Sequence, residues 1–129
     1  MPDMLVEVRG SWLNGKQTAF LEAAHEAVVQ ALRTPADEPL ARLVEHPAGN
    51  YLTPKASGPR FTHVEIVLFA GRSLDAKRQL YRAMVQNLRP FGVPPEDVKV
   101  VLIEVTPENV GLRGGNAACD IDLGYSLQV

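Results

Sequence analysis

Apolar and polar positions along this chain follow one grammar, and the grammar is written twice. Residues 2–9 read as a strand with Leu5, Val6 and Val8 as apolar members, and Gly10 to Gly15 read as a loop. From Lys16 to Leu32 the spacing changes to three and four. Phe20, Ala24 and Val28, with Leu21, Val29 and Leu32, form one helical stripe. Thr34-Pro35-Ala36-Asp37 ends that helix, because proline and the residue before it resist continuation. A short strand follows over Leu40–Glu45 and closes at Pro47.

About sixty residues later the order returns. His63–Phe69 is a strongly apolar strand, Gly71-Arg72-Ser73 is a turn, and the spacing predicts a helix over Leu74–Leu88. Leu80, Met84 and Leu88 lie four apart on it, and Ser73 suits the N-cap. Val98–Val105 reads as a second apolar strand, closed by Pro107 as Pro47 closes the first half. The tail contains Gly111, Gly114, Gly115 and Gly124 and an alternating Ile121-Asp122-Leu123, which predicts a turn and then short strands, set to extend a neighbouring subunit's sheet. The organisation expected is a single domain over 1–129. Its β-α-β halves span about 2–46 and 61–107, joined by an exposed connector at 47–60 and followed by a tail at 108–129.

Strand–helix–strand units favour parallel pairing with right-handed crossovers. Two of them predict an α/β (α+β) fold, a four-stranded sheet with both helices on one face. No further helix remains to cover the other face, and Val98 to Ile103 is too apolar to be left to water, so oligomerisation is expected.

Composition narrows the function classes. Across 129 residues, apolar types make up 46% and charged types 22%, as in an ordinary globular domain. A net charge of −2 without a basic run argues against nucleic acid or an anionic membrane surface as partner. No apolar run reaches bilayer length and no signal-peptide pattern opens the chain, so a cytoplasmic location is expected. Cys119, the lone cysteine, excludes an intrachain disulfide and reads as a small semi-buried residue. His25, His46 and His63 lack metal-ligand spacing, so neither a metal nor another cofactor is expected.

The chemistry lies at the head of the chain. Pro2 follows Met1 directly, a context that predicts excision of Met1 and a mature start at Pro2-Asp3-Met4. A free N-terminal proline is a secondary amine, and an α-amino group titrates at about 7.7–8.0 before perturbation. Apolar burial or a nearby cation lowers that value, which suits general acid–base work near neutrality.

Pro2, the duplication, and the stretches Gly71-Arg72-Ser73, Asp97-Val98-Lys99-Val100, Ile103-Glu104-Val105 and Gly111-Leu112-Arg113-Gly114-Gly115 together resemble the tautomerase superfamily, which includes 4-oxalocrotonate tautomerase and macrophage migration inhibitory factor. Ala24-His25 and Glu45-His46-Pro47-Ala48-Gly49-Asn50 resemble the cis-3-chloroacrylic acid dehalogenase and malonate semialdehyde decarboxylase branches. The resemblance implies a homotrimer, a small-molecule carboxylate substrate and a proton-shuttling Pro2. Arg72 then matches the arginine that grips a carboxylate or 2-oxo group. Lys99 stands where a second arginine is expected, keeping the charge without the planar fork. Val110 replaces a pocket phenylalanine, His25 matches a substrate-binding histidine, and Glu38 falls near a water-activating acid. Phe69 and Leu102 stand where the dehalogenase branch has an arginine and a tyrosine, which counts against hydrolytic dehalogenation.

Plainer roles remain open for these residues: a solvated loop arginine at 72, a packed helical histidine at 25, a surface turn acid at 38 and a snorkelling lysine at 99. Three functions follow. The first is an isomerase interconverting enol (2-hydroxydienoic or aromatic) acids and 2-oxo acids. The second is a hydratase, decarboxylase or dehalogenase-like lyase acting on short unsaturated or 3-oxo acids. The third is a non-catalytic trimeric module.

Overall fold

A computed structural model describes residues 1–129. Strand β1 (Asp3–Arg9) leads through a loop to helix α1 (Gln17–Leu32) and strand β2 (Ala41–His46). Strand β3 (Thr62–Phe69), helix α2 (Leu74–Leu88) and strand β4 (Val98–Val105) repeat the unit. The sheet order is β2-β1-β3-β4; each half pairs its own strands in parallel, and the halves meet antiparallel through β1 and β3. The anticipated four-stranded sheet with two helices on one face is what the chain forms.

Strand alternation explains the layering. Met4, Val6 and Val8 of β1 and Val64, Ile66 and Leu68 of β3 are buried towards the helices. There they meet Phe20, Ala24, Ala27, Val28, Ala31 and Leu32 of α1 and Ala76, Leu80, Met84 and Leu88 of α2 in one core. The buried face of α1 is therefore centred on its alanines, with Leu21 and Val29 only partly covered. Alanine lets the two helices approach closely. Ser73 caps α2, its side chain accepting from the Ala76 N–H at 3.1 Å. Helix α1 ends at Arg33, which takes a left-handed φ of 55° just before Thr34-Pro35.

The opposite sheet face has no layer over it. Val44 and Ile103 stand exposed there beside the pairs Asp3–Arg42 (3.0 Å) and Glu7–His46 (2.7 Å). The tail departs from expectation in part. Gly111–Leu112 (β5) and Asn116–Ala117 (β6) form a small hairpin, but residues 121–123 form no strand. The end of the tail folds back over the β3–α2 turn instead, with Leu127 beside Gly71 and Val129 bonded to Ser73. Cys119 is exposed rather than semi-buried, its sulfur 3.8 Å from the Asp120 carboxylate.

Candidate active site

Antiparallel pairing of the halves decides what the head of the chain meets. Asp3 pairs with Val67, so Pro2 flanks the last residues of β3 and the turn that follows them. Pro2 is half-buried there. A cavity of about 220 Å³ opens beside it, lined by Met1, Glu38, Phe69, Leu112, Arg113, Leu123 and Tyr125. Phe69 lies on the sheet face away from the helices by register, yet is only 1% exposed.

Arg72 lies in the turn and is 6% exposed, which excludes a solvated loop role. Its Nη1 donates to the Phe69 carbonyl at 2.8 Å, whereas Nε and Nη2 are buried with no acceptor. Burial pushes its pKa below the usual arginine value, while the Tyr125 hydroxyl, close to the guanidinium but outside hydrogen-bond geometry, and the charge of Glu104 act in the other direction. A cation held out of water with unspent donors is costly unless an oxyanion completes it.

The tail buries this arginine. The Ser73 N–H donates to the Val129 carbonyl at 3.0 Å. Gly71 takes φ +130°, and a Cβ there would stand 3.0 Å from the Leu127 carbonyl oxygen. Both facts require glycine. Tyr125 joins the two ends of the chain, donating from its hydroxyl to the Met1 carbonyl at 2.8 Å. Burial raises the Tyr125 pKa; Arg72 opposes that shift and Glu38 adds to it. Arg113 is held by a bond from its Nη1 to the Asp122 carbonyl at 2.8 Å.

The expected site residues divide accordingly. Met1, next to Pro2, and Glu38 meet on the cavity wall, and Arg72 joins them through Tyr125. His25 does not meet them in this chain: it lines a separate cavity with Thr18 and Pro39, and its Nε2 lies 3.0 Å from the Ala36 carbonyl oxygen. Lys99 is exposed near the start of β4, paired with His63. Strand rise puts it roughly 13 Å from Ile103, which lies level with Asp3. Val110 does not line the cavity; Leu112, two residues on, supplies that apolar wall. Tyr125 and Arg113 were not anticipated as site residues. Arg113 lies inside the glycine-rich stretch that carried the family resemblance, whereas nothing around Tyr125 marks it in sequence.

A duplicated β-α-β unit places the head of the chain beside the end of β3, whose following turn holds a buried arginine, and comparison with known proteins identifies the family. The family described as tautomerase enzymes matches residues 39–113, over half of the chain, and the chain belongs to it. No curated protein matches in sequence. Among solved structures, a fused 4-OT described as a wild-type symmetric trimer superposes with a TM-score of 0.80 at 28% identity, covering 92% of this chain and 97% of its own. FG41 malonate semialdehyde decarboxylase inhibited by 3-bromopropiolate gives 0.82 at 23% identity, covering 90% and 92%. A further malonate semialdehyde decarboxylase, described with decarboxylase and hydratase activities, gives 0.79 at 22% identity, covering 89% and 93%. No helix is long and apolar enough to cross a membrane.

Proposed function

We propose that the protein is a homotrimeric tautomerase that interconverts a 2-hydroxydienoic or aromatic enol acid and its 2-oxo form, with the Pro2 amine as the proton carrier. The observation that carries this reading is Arg72, an almost fully buried guanidinium with two unspent donor groups beside the head of the chain. The reading requires excision of Met1. Met1 lines the cavity, so its loss enlarges the space and frees both the Pro2 nitrogen and the Tyr125 hydroxyl.

The chemistry follows from the wall. Phe69, Leu112 and Leu123 are apolar and Arg113 is a cation, all of which disfavour the ammonium form, whereas Glu38 on the same wall acts the other way. Pro2 takes the proton of the 2-hydroxyl and returns it to carbon. Arg72 binds the carboxylate and the negative charge growing on the 2-oxygen, and a cation fixed in advance in a dry site stabilises that charge without reorganising. The unpartnered sheet face, with Val44 and Ile103 exposed, supports trimer formation.

One observation favours a second reading. Glu38 lines the same cavity, where a carboxylate could position water for hydration or accompany decarboxylation of a 3-oxo acid. Intact mass spectrometry followed by assays of the wild type, Pro2→Ala and Arg72→Ala tests the proposal. Ketonisation of enol acids lost in both variants supports it. Activity untouched in both removes it, and turnover of only acetylenic or 3-oxo acids, sensitive to Glu38→Gln, replaces it with the lyase. A mature chain that retains Met1 and has no turnover returns the protein to a non-catalytic trimeric module.

A further inference from the structure

The duplication creates a second position equivalent to the proline site, at the other end of the sheet. Trp12 is the third residue beyond β1, as Arg72 is the third beyond β3, and Phe61 precedes β3 as Pro2 precedes β1. A cavity of about 270 Å³ opens there, lined among others by Trp12, Lys16, Arg60, Phe91 and Gly92. Strand length separates the two positions by roughly 25 Å.

The cavity has the features of an anion site. No carboxylate lines it, and neither Lys16 nor Arg60 is in an ion pair. Arg60 is held in place twice: its Nη1 donates to the Phe91 carbonyl at 2.6 Å, and its Cζ lies 5.1 Å from the Trp12 ring centroid. That leaves its remaining guanidinium donors unspent. Gly92 makes the arrangement possible, since a Cβ there would stand 2.7 Å from Arg60 Nη1. The Trp12 Nε1–H is buried without an acceptor, and Trp12 lines the cleft. Helix α1 begins at the same place with no side-chain cap and no acid in its first turn, so its free N–H groups add positive potential.

We propose that this cleft is a second, non-catalytic binding site for a small organic oxyanion, a carboxylate or a phosphate, held by Arg60, Lys16 and the Trp12 N–H. It binds rather than reacts because Phe61, at the place of Pro2, offers only an amide nitrogen. The inference is independent of the tautomerase reading.

Trp12 is the sole tryptophan, so its emission reports on this cleft directly. Titration with succinate and with inorganic phosphate at constant ionic strength is expected to give a saturable change. Lys16→Gln and Arg60→Gln are each expected to weaken binding about tenfold or more. Arg72→Met should leave it intact. Saturation by only one of the two anions still supports the site and identifies its headgroup. Lys16 is exposed, so its variant remains informative even if Arg60→Gln fails to fold. The proposal is overturned by a change that never saturates with either anion, by binding that survives Lys16→Gln at full strength, or by binding that disappears in Arg72→Met.

Discussion

Replacing Arg72 by methionine should separate function from stability. Methionine keeps an unbranched apolar stem of similar reach and removes the charge and all the donors. In the folded chain the guanidinium makes one bond, from Nη1 to the Phe69 carbonyl, whose net contribution is about 1 kcal/mol. Against that stand Nε and Nη2, both buried without partners, each costing about 1–3 kcal/mol. Losing Arg72 should therefore leave stability unchanged or raise it. Catalysis is different, because on the proposed mechanism those two groups, closed off from solvent in the free chain, are the ones that bind substrate. Two charge-assisted bonds at about 1.5–3 kcal/mol each give about 3–6 kcal/mol of transition-state stabilisation. That predicts a fall of roughly two to four orders of magnitude in kcat/KM for enol-acid ketonisation. The assays are steady-state ketonisation and thermal denaturation of the same preparation. A midpoint that drops by several degrees, or a kcat/KM within about threefold of wild type, would refute the reasoning, because Arg72 would then support the fold and not the reaction.

Gly71→Ala places a Cβ at φ +130° and 3.0 Å from the Leu127 carbonyl. It should cost about 1–3 kcal/mol by denaturant titration and open the tail, read as faster amide exchange over 125–129. Tyr125 has its pKa raised above the ordinary 10.0, so the folded chain keeps a proton that the unfolded chain loses. Its contribution is intact below that value and is lost as pH rises through the folded pKa. Thermal midpoints measured above pH 10 should therefore fall less steeply in Tyr125→Phe than in wild type; parallel slopes would count against the burial argument. Ile103→Glu sets a charge on the uncovered sheet face, where Ile103 is 40% exposed. Sedimentation should show dissociation to monomers, and an unaltered trimer would place the interface elsewhere.

Legibility in the sequence followed the range of the interaction involved. The strands and helices are local: the apolar run of His63–Phe69 and the fourfold spacing of Leu80, Met84 and Leu88 located β3 and α2 to within a residue. The site is not local. Pro2 stood out because head-of-chain nitrogen chemistry needs no partner to be noticed, and Arg72 because it lies in a turn the family shares. Tyr125 could not be foreseen, since its role depends on the tail folding back 124 residues to the Met1 carbonyl. Lys99 illustrates a related point. Its charge is unusual on an apolar strand, but parallel pairing with β3 sets it beside His63, at the end of the sheet away from Pro2.

Divergence between the repeats explains why, on the proposed reading, chemistry is confined to one end. Both ends retain a cavity beside a strand–helix turn, but their cations are held differently. At one end Arg72 is buried by the tail, with two groups unsatisfied. At the other, Arg60 lies half-exposed over Trp12 and bonds to the Phe91 carbonyl. A desolvated cation stabilises developing charge far more than a solvated one does, because the local dielectric is lower. The tail after Gly124 is present at one end only, and it is what desolvates Arg72. Deleting residues 125–129 should therefore leave the two ends alike in electrostatics: Arg72 exposed, ketonisation lost, and the Trp12 cleft unchanged in its anion affinity. Retained turnover in that truncated chain would show that the tail is not what distinguishes the two halves.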